Sequence, residues 1–167
     1  ASAIFSADKK SLHFFSSKFN RYAMVDVETG QRRQSFVLED HMRRAIAPDD
    51  RRYVTGNRQG RLSLCEMESG ACLRDFSGHE GPVSALAFSP DGETVASGGG
   101  SDYVVRLWQP EFGRLLRTLR GHASGVSFVT FTPDGAALLS WGSDHTLRMW
   151  DVATGQCRWV NDTCKEH

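Results

Sequence analysis

The sequence has no long hydrophobic run and no excess of charge of either sign. Its apolar stretches are a few residues long, far short of the roughly 20 that cross a bilayer, so no membrane span is expected. Lys and Arg together number 20, as do Asp and Glu, and the formal net charge is zero. A neutral chain has no overall attraction to nucleic acid or to an anionic membrane. The first residues also lack the charged start and apolar core of a signal peptide.

Cysteine is scarce, and its spacing fits no metal site. Zinc ligands usually stand about two to four residues apart, which is closer than the cysteines of either pair in this chain. Cys72 and Cys157 occupy equivalent positions of a repeat in which another copy has Leu115, and this exchange predicts a buried apolar position. We therefore expect reduced thiols, no metal, no cofactor and a cytoplasmic location. The four cysteines are Cys65, Cys72, Cys157 and Cys164.

Helical periodicity is also missing. No stretch of ten residues carries the apolar spacing of an amphipathic helix. Short runs rich in β-branched and aromatic residues alternate with turn sequences such as Pro90-Asp91-Gly92 instead. The sequence therefore predicts an all-β protein.

One pattern occurs twice between Gly78 and Asp151. The second copy begins 43 residues after the first. A period of about 40–45 residues indicates a repeat architecture. The first copy contains Gly78-His79, Ser89-Pro90-Asp91-Gly92, Asp102 and Trp108, and the second contains Gly121-His122, Thr132-Pro133-Asp134-Gly135, Asp144 and Trp150-Asp151.

Two degenerate copies precede this pair. Val25 and Cys65 replace the Trp, while Phe19 and Gln59 replace the Asp. We expect these copies to be held mainly by apolar packing and to form the softer half. The four predicted units cover residues 1–37, 38–77, 78–120 and 121–161, and a polar tail covers 162–167.

These motifs resemble the WD-repeat family of β-propellers. The match is specific over residues 78–155 and weaker, though in phase, over residues 1–77. Family members fold each repeat into a four-stranded antiparallel blade, and the blades surround a central channel. The resemblance implies four blades in residues 1–161, which form part of a ring of seven or eight.

Four blades of this kind leave two open flanks with exposed sheet edges. Three completions are open: further blades of a longer chain, a second copy related by a twofold axis, or another protein. A closed ring of only four blades is the least favoured arrangement.

The resemblance also gives the recurrent polar residues a structural role. In the family, a His, a Ser or Thr, an Asp and a Trp form a buried hydrogen-bond relay inside one blade, which satisfies the indole donor. The set occurs at the same position in two repeats, and a catalytic site is seldom duplicated in this way. The repetition therefore argues against a Ser-His-Asp hydrolase site. An additional glycine in Gly98-Gly99-Gly100 leaves the geometry of the first set open. The two sets are His79, Ser97, Asp102 and Trp108, and His122, Ser140, Asp144 and Trp150.

The function implied by the resemblance is that of a non-catalytic scaffold for a protein or peptide partner. The repeats also resemble the sensor ends of large signalling ATPases or kinases, which suggests ligand recognition within a larger signalling protein. Partners in the family usually meet the loops before the first strand and between the second and third. Here that face would include Glu80, Pro82, Ser84, Ser101, Tyr103, Gly125, Ser127, Ser143 and His145.

The sequence leaves two other functions open. An enzyme would need a site in the channel, because the chain has no metal triad, phosphate loop or nucleophile elbow, and Gly98 to Gly100 is followed by neither a helix nor a Lys. A basic patch on the second blade would bind a phosphate polymer in a salt-dependent manner, although solvated strands and turns explain the same arginines. The arginines are Arg32, Arg33, Arg43, Arg44, Arg51, Arg52, Arg58 and Arg61.

Overall fold

Four separate antiparallel sheets, each of four strands, make up the fold. The computed structural model describes residues 2–6, 8–16, 21–37 and 43–162. Every sheet is formed by consecutive strands, as in a propeller blade, which confirms the predicted all-β class. Among the described residues, no helix has the length and apolar character needed to cross a membrane. Phe19, Cys164 and residues 163–167 of the predicted tail lie outside the described residues.

The strands follow the repeat in order. The first sheet contains β1 (Ser2–Phe5), β2 (Ser11–Ser16), β3 (Arg21–Asp26) and β4 (Arg32–Val37). The second contains β5 (Arg43–Ile46), β6 (Arg52–Gly56), β7 (Arg61–Glu66) and β8 (Cys72–Ser77). The third contains β9 (Val83–Phe88), β10 (Val95–Gly99), β11 (Val105–Gln109) and β12 (Arg114–Leu119), with a 3-10 turn at Pro110–Phe112. The fourth contains β13 (Val126–Phe131), β14 (Ala137–Gly142), β15 (Thr146–Asp151) and β16 (Cys157–Asp162).

The turn that joins the first two strands of the third sheet is closed by side chains. Ser89 Oγ donates to Asp91 Oδ1 at 2.5 Å and accepts from the backbone N–H of Thr94 at 2.9 Å. Gly92 supplies the left-handed conformation of the turn, with φ of +74°. The fourth sheet repeats these contacts with Thr132 and Asp134. The Pro-Asp-Gly motif therefore ends one strand and begins the next.

The core lies between the sheets. We call the side of a sheet that faces the next sheet in the chain its trailing face, and the opposite side its leading face. One cluster joins Tyr22 of the first sheet to Tyr53 and Met67 of the second. The next cluster joins the second and third sheets through Val54, Leu62, Leu64, Phe76, Val83, Val95 and Trp108. The last joins the third and fourth through Ala85, Ala96, Val105, Leu107, Leu119, Val126, Val129, Leu138 and Trp150.

Two glycines allow neighbouring sheets to approach closely. A β-carbon on Gly56 would lie 2.5 Å from Val83 Cγ1, and one on Gly98 would lie 2.8 Å from Val126 Cγ1. Both distances are too short for real carbon atoms, so a larger residue would push the sheets apart. The same glycine–valine contact therefore spaces the second sheet from the third and the third from the fourth.

Arginines on the outer strands add polar links between sheets. Arg74 Nε on β8 donates to the carbonyl oxygen of Glu111 at 2.9 Å, in the 3-10 turn of the third sheet. Arg117 Nε on β12 donates to the carbonyl oxygen of Val152 at 3.2 Å, in the last turn of the fourth. Each outer strand thus holds a turn of the sheet that follows.

The cysteine predictions were wrong in two respects. Cys65 and Cys72 form a disulfide, because they are register partners on adjacent strands. The repeat position of Cys72, Leu115 and Cys157 is exposed rather than buried. It lies on the outermost strand of the second, third and fourth sheets, which has no further strand beside it. Cys157 is a free thiol.

Candidate interaction face and its buried relays

The structure brings together the four residues of each predicted relay. In the third sheet, Trp108 Nε1 donates to Ser97 Oγ at 2.7 Å, Ser97 Oγ lies 2.7 Å from His79 Nε2, and His79 Nδ1 lies 3.0 Å from Asp102 Oδ2. The fourth sheet has the same series at 2.8, 2.7 and 3.0 Å. Its members are Trp150, Ser140, His122 and Asp144.

The chemistry of these groups fixes where each proton lies. The Trp150 indole can only donate, so Ser140 Oγ accepts from it and has its own hydroxyl proton left for His122 Nε2. The ionised carboxylate of Asp144 can only accept, so His122 Nδ1 must carry the proton between them. The relay of the fourth sheet therefore requires a neutral histidine with its proton on Nδ1.

Electrostatics agree with this assignment. Burial lowers the pKa of both relay histidines, and the nearby aspartates raise it only in part. Burial by itself would raise the pKa of Asp102, but the hydrogen bond from Arg106 and the other donors keep it below its usual value. Burial acts in the same sense on Asp144, whose pKa is lowered by the backbone N–H groups of Ala123 and Thr146. A neutral histidine thus faces an ionised carboxylate.

The two relays differ in how the aspartate is supported. Thr146 Oγ1 donates to Asp144 Oδ1 at 2.9 Å and accepts from Arg148 Nε at 3.2 Å. The third sheet has Val104 in place of this threonine, and Arg106 Nη1 instead lies 2.5 Å from Asp102 Oδ2. The arginine reaches the carboxylate directly where no hydroxyl stands between them.

Glycine is required where the histidine meets the aspartate. A β-carbon on Gly99 would lie 1.7 Å from Asp102 Oδ1, and one on Gly142 would lie 2.5 Å from His122 Nδ1. The loop after Gly99 is one residue longer than the loop after Gly142, yet the relay distances agree within 0.1 Å. The additional residue is therefore accommodated in the loop without disturbing the relay.

Each relay joins two loops of the predicted face. His79 lies in the loop before β9, and Asp102 lies in the loop between β10 and β11. Asp102 also accepts from the backbone N–H of Glu80 at 3.2 Å, and Asp144 accepts from that of Ala123 at 2.8 Å. The relay serines are fully buried and already hydrogen-bonded, so this geometry presents no nucleophile to a substrate.

The nine predicted face residues lie along one edge of the third and fourth sheets. Ser84 is the least available for binding a partner. Its hydroxyl donates to the carbonyl oxygens of Gly98 and Val126 and so links the two sheets. Pro82 and Gly125 are half-buried, whereas the other six are exposed. The exposed members are Glu80, Ser101, Tyr103, Ser127, Ser143 and His145.

Two side chains of this face stand on a strained backbone. Tyr103 has φ of +59° and His145 has φ of +61°, and the matching position of the second sheet is Gly60, with φ of +82°. A residue other than glycine in this region costs on the order of 1 kcal/mol. Sequence reasoning placed both residues on the face but did not detect this conformation.

A polar cluster between the first and second sheets was missed. His13 Nδ1 lies 2.8 Å from the Tyr22 hydroxyl, and His13 Nε2 lies 3.4 Å from Asp50 Oδ1. Burial lowers the pKa of His13 and raises that of Tyr22. The first sheet is therefore not held by apolar packing alone. A His followed nine residues later by a Tyr on the next strand was the available signal.

Three of the eight arginines form ion pairs with acidic side chains at separate places. Arg52, near the β5–β6 turn, pairs with Asp49 and Glu111, while Arg61, at the opposite edge of the same sheet, pairs with Asp75. Arg33 pairs with Asp26 on the first sheet. In the part of the chain that the structure describes, no three His, Cys, Asp or Glu side chains are grouped to hold a metal ion.

Comparisons with known proteins find the WD repeat in the third and fourth sheets. The family model described as "WD domain, G-beta repeat" matches residues 70–109 and 113–151. The human serine-threonine kinase receptor-associated protein is 38% identical over 65 residues, which are 39% of this chain and 18% of that protein. WD repeat-containing protein SL1-17 of Schistosoma mansoni is 34% identical over 76 residues, 44% of this chain and 25% of that protein. These matches therefore span a quarter or less of either relative.

A solved structure extends the likeness to the whole chain. A chain in the crystal structure of the mitotic checkpoint complex superposes with a TM-score of 0.82 over 99% of this chain, at 23% identity. The match covers 52% of that chain, so the four sheets correspond to about half of it. At this identity the likeness shows the fold alone.

Removal of the relay serine tests its contribution to stability. Ser140→Ala leaves the His122 and Trp150 nitrogens buried without their partner, which should lower the free energy of unfolding by about 1–3 kcal/mol. Urea unfolding would measure the change, with Ser143→Ala on the exposed loop as the matched control. An equal loss in the two variants would contradict the assigned role.

The relay histidines also predict a pH dependence. The pKa of His79 and of His122 is lowered in the folded chain, whereas in the unfolded chain it is about 6.5. Below that pH the unfolded state binds more protons, so the free energy of unfolding should fall as the pH decreases. Urea titrations above and below pH ~6.5 would measure this slope, and His122→Gln should reduce it. A wild-type protein that gains stability on acidification through this range would contradict the neutral histidine.

Proposed function

Because the chain belongs to the WD-repeat family, we propose that it is a non-catalytic scaffold that binds a protein or peptide partner through the face carrying Tyr103 and His145. The observation that carries this proposal is the pair of exposed side chains at left-handed positions on one edge. Backbone strain of this kind persists where the surroundings enforce it and clusters at binding sites.

The relays make this face suited to recognition. Loops bind well when a rigid framework positions them, and the His79–Asp102 and His122–Asp144 contacts join the two loops of each sheet. A partner would meet a surface that loses little conformational freedom on binding.

The exposed side chains indicate the kind of partner. Tyr103 and His145 offer aromatic rings, Ser101 and Ser143 offer hydroxyls, and Glu80 adds one negative charge. Aromatic and hydroxyl groups with little net charge suit a polypeptide rather than a phosphate polymer.

The proposal also covers the extent of the domain and the kind of protein that contains it. We assign residues 1–161 to one propeller domain, completed by further blades, and residues 162–167 to its tail. Ligand recognition for a cytoplasmic signalling protein fits the family resemblance, and one relative is named for association with a kinase receptor. Similarity of fold and family supports this assignment to a signalling protein.

Paired substitutions would test the face. Peptides selected on the wild-type chain from a random library would be measured against Ser101→Arg/Ser143→Arg, which introduces two long charged side chains among the exposed loops. We expect the affinity to fall at least tenfold, because one desolvated mismatched group costs 1.4 kcal/mol or more.

The control introduces two arginines at the opposite edge of the same sheets. Glu93→Arg/Ala136→Arg places arginines on the exposed turns after Gly92 and Gly135. If the control pair weakened binding as much as the face pair, or the face pair left it unchanged, the proposed face would be rejected.

A further inference from the structure

The outermost strand of the third sheet, β12, carries three arginines at a regular spacing. Arg114, Arg117 and Arg120 are all exposed, and we call them the basic row. The strand registers identify the corresponding residues of the neighbouring sheets. These are Ala71, Arg74 and Ser77 in the second sheet and Gln156, Trp159 and Asp162 in the fourth. The repeat itself therefore does not require the positive charge of β12.

The basic row lacks the acidic partners that other arginines have. Five arginines elsewhere on the sheets form ion pairs with carboxylates, namely Arg33, Arg52, Arg61, Arg106 and Arg158. Among the residues that the structure describes, no carboxylate lies within ion-pair distance of the basic row. Its three charges are therefore open to carboxylates of another chain.

A β-bulge places two arginines of the basic row on the same side of the sheet. Arg114 pairs with Gln109 and Arg117 pairs with Leu107. The register shift between these pairs leaves Leu116 as the additional residue of the bulge. Because Gln109 and Leu107 are two residues apart on one strand, they lie on the same face of the sheet. Arg114 and Arg117 are therefore neighbours on the trailing face, although simple alternation would have placed them on opposite faces.

The fourth sheet holds the central arginine of the row in place. Arg117 Nε donates to the carbonyl oxygen of Val152 at 3.2 Å, and Arg117 Nη2 donates to that of Ala153. A carbonyl oxygen carries no net charge, so the positive charge of Arg117 is not neutralised by these contacts. A guanidinium has five N–H donors, so further donors remain for a carboxylate. An arginine that is already positioned also loses less side-chain freedom when it binds a partner.

Exposed apolar side chains and an open strand edge accompany the basic row. Leu115 and Leu116 are each 43% exposed, and Phe112 in the preceding 3-10 turn is 66% exposed. β12 is also the last strand of its sheet, so the backbone N–H and C=O groups on its outer side have no strand to pair with. A polypeptide can match all three features, because it offers carboxylates, apolar side chains and its own backbone groups.

Two other occupants match these features less well. A second copy of the chain that paired through β12 would bring one basic row against another, and like charges on paired strands are destabilising. A phosphate polymer would gain the arginine contacts alone. It would leave Leu115, Leu116 and Phe112 without an apolar contact and the strand edge unpaired.

We propose that β12, together with Phe112 and Arg120, is a second interaction surface that binds an extended acidic segment of a protein partner. The segment lies along the open edge of the third sheet, with carboxylates on the basic row and apolar side chains on Leu115 and Leu116. At about 3.3 Å per residue, about seven residues of the partner reach from Arg114 to Arg120. This surface shares no residue with the Tyr103–His145 face and adds a second contact to the proposed scaffold.

Fluorescence anisotropy of a labelled ten-residue peptide, in which glutamate alternates with leucine and valine, tests the surface on the 167-residue chain. Arg114→Glu/Arg120→Glu replaces two attractions by repulsions at exposed sites and should weaken peptide binding at least tenfold. Arg43→Glu/Arg51→Glu makes the same change of net charge at exposed sites of the second sheet. This control should leave the affinity within twofold of that of the wild type.

A variant of the leucines separates a peptide site from a site for a phosphate polymer. Leu115→Ser/Leu116→Ser should weaken peptide binding at least tenfold, because the apolar contact is lost, and a single-stranded DNA probe of equal charge should bind the wild type at least tenfold more weakly than the peptide. DNA binding as tight as peptide binding, a wild type that does not bind the peptide, or binding unaffected by Arg114→Glu/Arg120→Glu would each overturn the proposal. The Tyr103–His145 face is tested with other peptides and other variants, so failure of one surface is distinguishable from failure of the other.

Discussion

The hydrogen bond between a buried histidine and a loop aspartate is the contact on which both well-preserved sheets depend. It is formed twice with the same geometry, in spite of a loop that differs by one residue. Gly99 and Gly142 provide the space, and the serine and tryptophan complete the set of donors and acceptors. A buried polar network is stabilising only when each member is satisfied, which explains why four residue types recur together.

Packing between sheets is the second constraint, and it acts on the same strands. Gly98 lies directly after the relay residue Ser97, so one strand serves both the network within its sheet and the close approach to Val126. The relay fixes the loops at one edge, while the glycine–valine contacts set the distance between sheets. The candidate face therefore inherits its shape from the core beneath it.

The parts that were predictable from the sequence are those that repeat in phase. Trp108 and Trp150 identified equivalent strands, and the Pro-Asp-Gly turns placed the ends of those strands. Pairing across strands was not visible in the same way: Cys65 and Cys72 meet only because β7 and β8 have a particular register. The contact of His13 with Tyr22 and Asp50 joins two degenerate sheets, where no repeat marked it. Exposure of the outer strand was missed because Cys and Leu in one repeat position suggested burial.

The most direct test of the relay is the protonation of the His122 ring in solution. Long-range ¹H–¹⁵N spectra of the folded chain, with His122→Gln used for assignment, distinguish a protonated ring nitrogen from an unprotonated one. The relay predicts a proton on Nδ1, directed to Asp144, and none on Nε2, which accepts from Ser140. A proton on Nε2 at neutral pH, alone or together with one on Nδ1, would contradict it.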